Sequence, residues 1–410
     1  MVLKGFNPKL LLLELVRDML ATLRGDRLVR AAVAQGPDWP GVEVLAIGKA
    51  AAAMLEGARD GLGSRLKRAL LITRGDHLTP SVQEDARIEV LTSGHPLPTA
   101  DSLAAGQHML GWLQASTAPL LVLLSGGASS LVEVPAPGIS LDDLQAVNRW
   151  LLGSGLDIHR MNALRKRLSR IKGGQLLAYL GGRSVQVWMI SDVRGDDPAV
   201  IGSGLFCPAE VDWADRGDLP EALQKLMKDT PVMTGPPSVA VPEHRLLANL
   251  QTACSALVEA AAERDLSMQV HDTELEGDAA ETGRCLAGEL AQLPPGLHLW
   301  AGETTVKLPA QPGRGGRNQQ LALAAAIALS GRTDSYLLAM GSDGVDGSTT
   351  DAGALVDGGS IARGELAGLD AGASLRAADA GVFLQASGDL VSTGPTGTNV
   401  RDIVMALKTE

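Results

Sequence analysis

The chain repeats one local grammar: a short, largely apolar run, then glycines and small polar residues, then a helix-forming stretch. Val42–Ile47 leads into Gly48-Lys49 and the alanine-rich segment 50–58. Leu120–Leu124 leads into Ser125-Gly126-Gly127-Ala128-Ser129-Ser130, and Val185–Ile190 into Ser191-Asp192-Val193-Arg194-Gly195-Asp196-Asp197. Helices are predicted between them, over 141–152 and 158–171. A strand apolar at every position must be covered on both faces, the signature of a mostly parallel sheet flanked by helices. The expected class is α/β, with a doubly wound, mostly parallel N-terminal sheet carrying helices on both faces.

A chain of 410 residues exceeds what one core organises, so two domains are expected. Pro220, Pro231, Pro236, Pro237 and Pro242 crowd the passage 219–242, which reads as the linker. That reading gives an N-terminal domain at 1–236 and a smaller C-terminal α/β domain at 237–410. The second domain is predicted to open with a helix over 246–263 and to hold strands at 297–300 and 336–340. In open α/β sheets ligands sit beyond the carboxyl ends of strands. Loops of that kind carry Lys49, the segments 125–130 and 192–197 in the first domain, and 302–305 and 342–351 in the second. The expected active site is therefore a cleft between the domains.

Composition narrows the partners. Aromatic residues make up only 3%, too few for base-stacking platforms, and the net charge of −11 disfavours polyanions, so no nucleic acid is expected. The apolar run 10–13 is interrupted by Glu14, Arg17 and Asp18, which fits an amphipathic helix and not a signal segment or membrane span. Cys207, Cys254 and Cys285 are widely spaced and odd in number, as reduced thiols of a cytoplasmic protein would be.

The stretch Gly313-Arg314-Gly315-Gly316-Arg317-Asn318-Gln319-Gln320 runs into an apolar helix. Glycines free the backbone to turn N–H groups toward a ligand, the first helical turn leaves donors unpaired, and the helix dipole adds positive potential. Arg317 supplies a planar fork for carboxylate or phosphate oxygens, and Asn318 either contacts a ligand or caps the helix. The glycine turn 125–130 resembles a phosphate nest, although a tight strand-to-helix turn would look the same. Lys49 stands at a helix N-terminus, where a cation opposes the dipole and calls for an anion. Asp192 is placed to hold magnesium or to take a proton from an attacking hydroxyl. The loop Gly341-Ser342-Asp343-Gly344-Val345-Asp346-Gly347-Ser348-Thr349-Thr350-Asp351 suits a hard cation but lacks EF-hand spacing, and a solvated turn is the alternative. His95 reads as a turn residue. The basic residues Arg160, Arg165, Lys166, Arg167, Arg170 and Lys172 read as a solvated face from which one or two reach a substrate carboxylate.

Taken together these motifs resemble the class II glycerate 2-kinases, whose C-terminal domain is known as MOFRL. The likeness rests on Ile47-Gly48-Lys49-Ala50, Gly94-His95-Pro96, Ser125-Gly126-Gly127, Ile171-Lys172-Gly173-Gly174, Ser191-Asp192-Val193 and Gly195-Asp196-Asp197-Pro198. It continues through Gly302-Glu303-Thr304-Thr305-Val306, Gly315-Gly316-Arg317-Asn318-Gln319, Asp343-Gly344 and Gly394-Pro395-Thr396, in order over nearly the whole chain. Departures are Ala128 and Ala301 at positions expected to be glycine, and Gly202-Ser203-Gly204-Leu205 without the expected threonine.

The resemblance implies ATP-dependent phosphorylation of D-glycerate at its 2-hydroxyl, with ATP and Mg2+ as cofactors. It matches Lys49 and Arg317 to the family's lysine and arginine. With the residue reading, the catalytic candidates are Lys49, Arg317 and Asp192. The ATP- and substrate-binding candidates are Gly48, Ser125, Gly126, Gly127, Ala128, Ser129, Lys172, Glu303, Thr304, Gly316 and Asn318. The metal candidates are Asp192, Asp343 and Asp346. A homodimer is implied by family alone. Two other readings stand beside this one: an NAD(P)H-dependent hydroxypyruvate reductase, for which no G-x-G-x-x-G is present, and a non-catalytic phosphometabolite-binding protein.

Overall fold

The computed structural model describes residues 7–153, 158–208, 219–230 and 240–410. Chain contacts divide into two compact units: Arg24–Ala248, and Asn249–Glu410 together with the N-terminal segment through Leu23. Pro231, Pro236, Pro237 and the expected boundary at 236/237 lie outside the described residues.

The first unit holds six strands, β1 (Val42–Ile47), β2 (Leu66–Thr73), β3 (Ile88–Thr92), β4 (Leu120–Leu124), β5 (Val185–Ile190) and β6 (Glu243–Ala248). Their order is β3-β2-β1-β4-β5-β6 and every pairing is parallel. β1 and β4 are buried at every position: β4 is apolar throughout, and Glu43 of β1 is paired with Arg68 and Arg183. Strand order reverses between these two, so their carboxyl ends border the crevice where such sheets bind ligands. The helix expected over 158–171 stops at Arg167. Beyond it Leu168 O accepts from Ala136 N (2.8 Å) and Arg170 N donates to Val134 O (2.8 Å), so the chain leaves the helix to pair with a neighbouring segment.

The second unit is α/β of another kind. Its strands are β7 (Met268–Val270), β8 (Gly296–Gly302), β9 (Ser335–Gly341), β10 (Gly353–Asp357), β11 (Leu390–Val391) and β12 (Asp402–Lys408), ordered β11-β10-β9-β12-β8-β7. All pairings are antiparallel except β7 with β8. The alanine-rich helix Arg317–Leu329 packs against this sheet and is buried along nearly its whole length.

Two boundaries differ from expectation for physical reasons. The N-terminal helix Pro8–Leu23 buries Leu11, Leu12, Leu15, Val16, Met19 and Leu23, and it does so in the C-terminal unit. Lys9 fixes it there through ion pairs to Asp357 (2.6 Å) and Asp389 (2.9 Å). An apolar stripe goes where it is covered, whatever its distance in sequence. Residues 243–248 add β6 to the first sheet instead of opening the helix expected over 246–263. That helix runs Leu250–Ala262 because Asn249 caps it, accepting from Thr252 N at 3.0 Å. No described helix is long and apolar enough to cross a membrane.

Candidate active site

In the first unit the turn after β1 is pinned against the turn after β4. Ser125 N donates to Ile47 O (3.0 Å), Lys49 N to Gly126 O (2.9 Å) and Ala50 N to Ser125 Oγ (3.0 Å). Thr73 Oγ1 donates to Gly48 O at 2.8 Å. Gly48 has φ +132°, and a Cβ there would lie 2.2 Å from Ser125 Oγ, so only glycine allows this approach. Gly127 has φ +88°, and a Cβ on it would lie 3.1 Å from His95 Cδ2 and 3.3 Å from Lys49 Cγ. The lysine stem and the imidazole thus flank the glycine turn at the point where strand order reverses.

The structure therefore brings Gly48, Lys49, Gly126, Gly127, Ala128 and Ser129 together. Asp192 is half-buried at the carboxyl end of the adjacent β5. Ser125 is fully buried and its hydroxyl accepts from Ala50 N. His95, expected as a turn residue, packs beside the Gly127 turn. Ser203 and Asn162 went unnoticed as well. Ser129 Oγ lies 2.7 Å from Ser203 Oγ, which donates to Asn162 Oδ1 at 2.9 Å. The Gly-Ser-Gly at 202–204 was the signal for the first of these.

Lys172 is turned to a carboxylate of the protein itself. It is buried in an ion pair with Glu133, whose carboxylate also accepts from Ser169 Oγ (2.5 Å) and Val134 N (2.9 Å). Burial pushes the Lys172 ammonium below its ordinary pKa, and Glu133 pulls it back.

In the second unit Arg317 grips Asp402 with a bidentate fork, Nε to Oδ2 at 2.5 Å and Nη2 to Oδ1 at 3.0 Å. Its Nη1 pairs with Glu303 Oε1 at 2.7 Å. Arg401, itself paired with Glu274, stands 3.8 Å from Glu303. Burial works against the Arg317 charge, but Asp402 and then Glu303 outweigh it and hold the group protonated above its usual value. Glu303 is thus a partner of Arg317 in this state, and Thr304 beside it is buried. Asp402, Arg401 and Glu274 escaped the sequence reading.

The helix start at Arg317 attracts an anion, as expected, but the anion is the protein's own. Asp346 Oδ1 accepts from Asn318 N (3.1 Å) and Nδ2 (3.4 Å), and Oδ2 from Gln319 N (2.8 Å). Gly316 stands at the N-cap because a Cβ there would lie 2.3 Å from Asp346 Cγ. In the loop expected to suit a cation, the carboxylates have partners within the protein. Asp346 caps a helix, Asp343 Oδ1 accepts from Val345 N (3.1 Å), and Asp351 takes Ser392 Oγ (2.5 Å) and Arg314 Nη2 (3.4 Å). Their carboxylates serve separate partners. Among the described residues no group of three or more His, Cys, Asp or Glu is arranged to hold a metal ion, Asp192 included.

Burial raises the Asp346 carboxyl, and the hydrogen bonds from Gln319 and Asn318 only partly offset it, leaving its pKa pushed up to about 7. An unfolded aspartate titrates near ~3.9, so from about pH 4 to 7 the folded state holds the extra proton. Stability therefore falls as pH rises through that window. Asp346→Asn cannot titrate, so the wild-type stability relative to this variant should drop by on the order of a few kcal/mol between those limits. Urea unfolding at several pH values reads this directly, and a constant difference would refute the raised carboxyl.

Two families match the chain: the domain of unknown function DUF4147 over residues 11–231 and the MOFRL family over 296–402. The D-glycerate 2-kinase of Thermotoga maritima is 32% identical over 98% of this chain and 99% of its own length. Its crystal structure, that of a glycerate kinase, superposes with a TM-score of 0.82 and the same coverage. The glycerate 2-kinase of Pyrococcus horikoshii is 31% identical, covering 90% of this chain and 87% of its own. An Agrobacterium vitis protein whose name proposes a hydroxypyruvate reductase is 38% identical over 88% and 85%.

Proposed function

Because the chain belongs to the glycerate 2-kinase family and is a kinase of that family, we propose that it transfers the γ-phosphoryl group of ATP to the 2-hydroxyl of D-glycerate. The O2–P bond forms, the bond from γ-phosphorus to the β,γ-bridging oxygen breaks, and 2-phosphoglycerate and ADP leave. The observation that carries the reading is Lys49 beside the Gly126-Gly127 turn at the reversal of strand order. Phosphoryl transfer needs mainly positioning and cancellation of charge on the equatorial oxygens. Lys49 supplies a point charge for them, and the glycines let backbone approach. Asp192 takes the hydroxyl proton. Arg317 is the second cation of the proposal. Magnesium enters only as the counter-ion that the nucleotide brings.

Incubation with ATP, magnesium and D-glycerate, followed by phosphorus NMR, should show the 2-phosphoglycerate resonance. A 3-phosphoglycerate resonance refutes the assigned position, and untouched ATP refutes the kinase.

Arg317→Ala is expected to lower turnover about a hundredfold. It should also lower the Tm by several degrees, because Asp402 is left buried without its fork. Near-native turnover would remove Arg317 from the catalytic set. One observation favours a reductase: the strand order is one that also binds dinucleotides. Yet the turn after β1 reads Gly48-Lys49-Ala50, without a dinucleotide fingerprint. Consumption of NADH on adding hydroxypyruvate, without ATP, would favour that rival.

A further inference from the structure

Most basic residues following Asn162 are engaged. Arg165 Nε donates to Asn148 Oδ1 (3.1 Å), Arg167 Nη2 to Met227 O (3.3 Å) and Arg170 Nη2 to Tyr179 OH (3.1 Å), and Lys172 pairs with Glu133. Arg160 is not free either. Lys166 differs: it is only 7% exposed, yet it closes no hydrogen bond or ion pair among the described residues. Its stem lies against Gly173, whose built Cβ would be 3.3 Å from Lys166 Cγ and Cδ. Asp197 and the Cys207 thiol are within electrostatic reach, and burial holds the ammonium below its usual pKa while Asp197 opposes the shift.

Asn162 stands one helical turn earlier on the same face. It is 2% exposed, its Oδ1 accepts from Ser203, and its Nδ2 has no partner. Ser203 in turn touches Ser129 of the crevice. A buried amide donor without an acceptor among the described residues, one turn from a largely buried ammonium and joined by hydroxyls to the phosphoryl loop, is a pair that an anion satisfies.

We infer that Lys166, with Asn162, receives the carboxylate of the hydroxy-acid substrate. The inference rests on the kinase reading above. A 2-hydroxy acid carries its carboxylate one carbon from the hydroxyl being phosphorylated. It therefore needs a cation other than Lys49, which the phosphoryl oxygens engage.

The test compares D-glycerate with uncharged D-glyceramide at saturating ATP, using wild type, Lys166→Met and Lys166→Arg. Lys166→Met should lose about fiftyfold in kcat/KM for the acid and less than about threefold for the amide, with KM for ATP unchanged. Lys166→Arg should recover most of the loss. The Tm of Lys166→Met should hold or rise, since an unpaired buried charge is removed. Equal losses on acid and amide, or a raised KM for ATP, overturn the assignment. Should wild type yield no phosphorylated product, the kinase reading fails and calorimetry with D-glycerate alone decides this one. Binding to wild type but not to Lys166→Met upholds it; equal binding, or none to either, refutes it.

Discussion

Lys49→Ala is expected to cut turnover about a thousandfold in an ATP-coupled assay while KM for D-glycerate changes little and the Tm moves by no more than about 2 °C. The reason lies in how the turn is built. The contacts that pin it come from backbone: Lys49 N to Gly126 O, Gly48 O to Thr73 Oγ1, and Ala50 N to Ser125 Oγ. Alanine keeps all of these. What disappears is a charge at the crevice, and a charge acting on the transferring group raises kcat without holding the fold. Turnover within tenfold of native would show that another group cancels the phosphoryl charge.

Glu133→Ala should do the reverse in kind and nearly match it in free energy. Removing one partner of a buried ion pair leaves the other charge uncompensated, at about 3–5 kcal/mol. Here the stranded group is the Lys172 ammonium, and Ser169 Oγ and Val134 N lose their acceptor too. Urea unfolding measures the loss. The double change Glu133→Leu with Lys172→Met should recover much of it, because two apolar side chains leave no orphaned charge. A loss below about 1 kcal/mol for Glu133→Ala would mean that water reaches the pair. Function would follow indirectly: Gly173 N donates to Ser203 O at 3.0 Å, so the turn that Lys172 anchors also positions Ser203 beside Ser129.

β1, β4 and β5 of the first sheet were legible because each is a mainly apolar run followed by a small-residue turn, a pattern that burial on both faces imposes. β10 and β12 were missed. Both are short runs that carry an aspartate, and their pairing is antiparallel, so neither follows the strand-turn-helix pattern of the first sheet. Lys49 and the glycine turn were found because their chemistry is local. Asp402 was not, since its link to Arg317 spans 85 positions. The helix start reads as an anion site on paper, but sequence could not reveal that Asp346 accepts from its Asn318 and Gln319 N–H groups. Likewise, Lys166 and Lys172 look alike on paper; only three-dimensional packing pairs Lys172 with Glu133, while Lys166 closes no ion pair among the described residues.

The helix Pro8–Leu23 completes a unit whose remaining parts begin at Asn249. During ribosomal synthesis its apolar stripe emerges ahead of the sheet it packs on and must wait, uncovered, until everything from Arg24 to Ala248 has been made. A nascent chain of this design is thus exposed to sticking or to chaperone capture for most of its translation. Dissection of the protein at its proline-rich stretch would separate a helix from the sheet it seals, so an autonomous C-terminal fragment requires that helix grafted in front of Asn249.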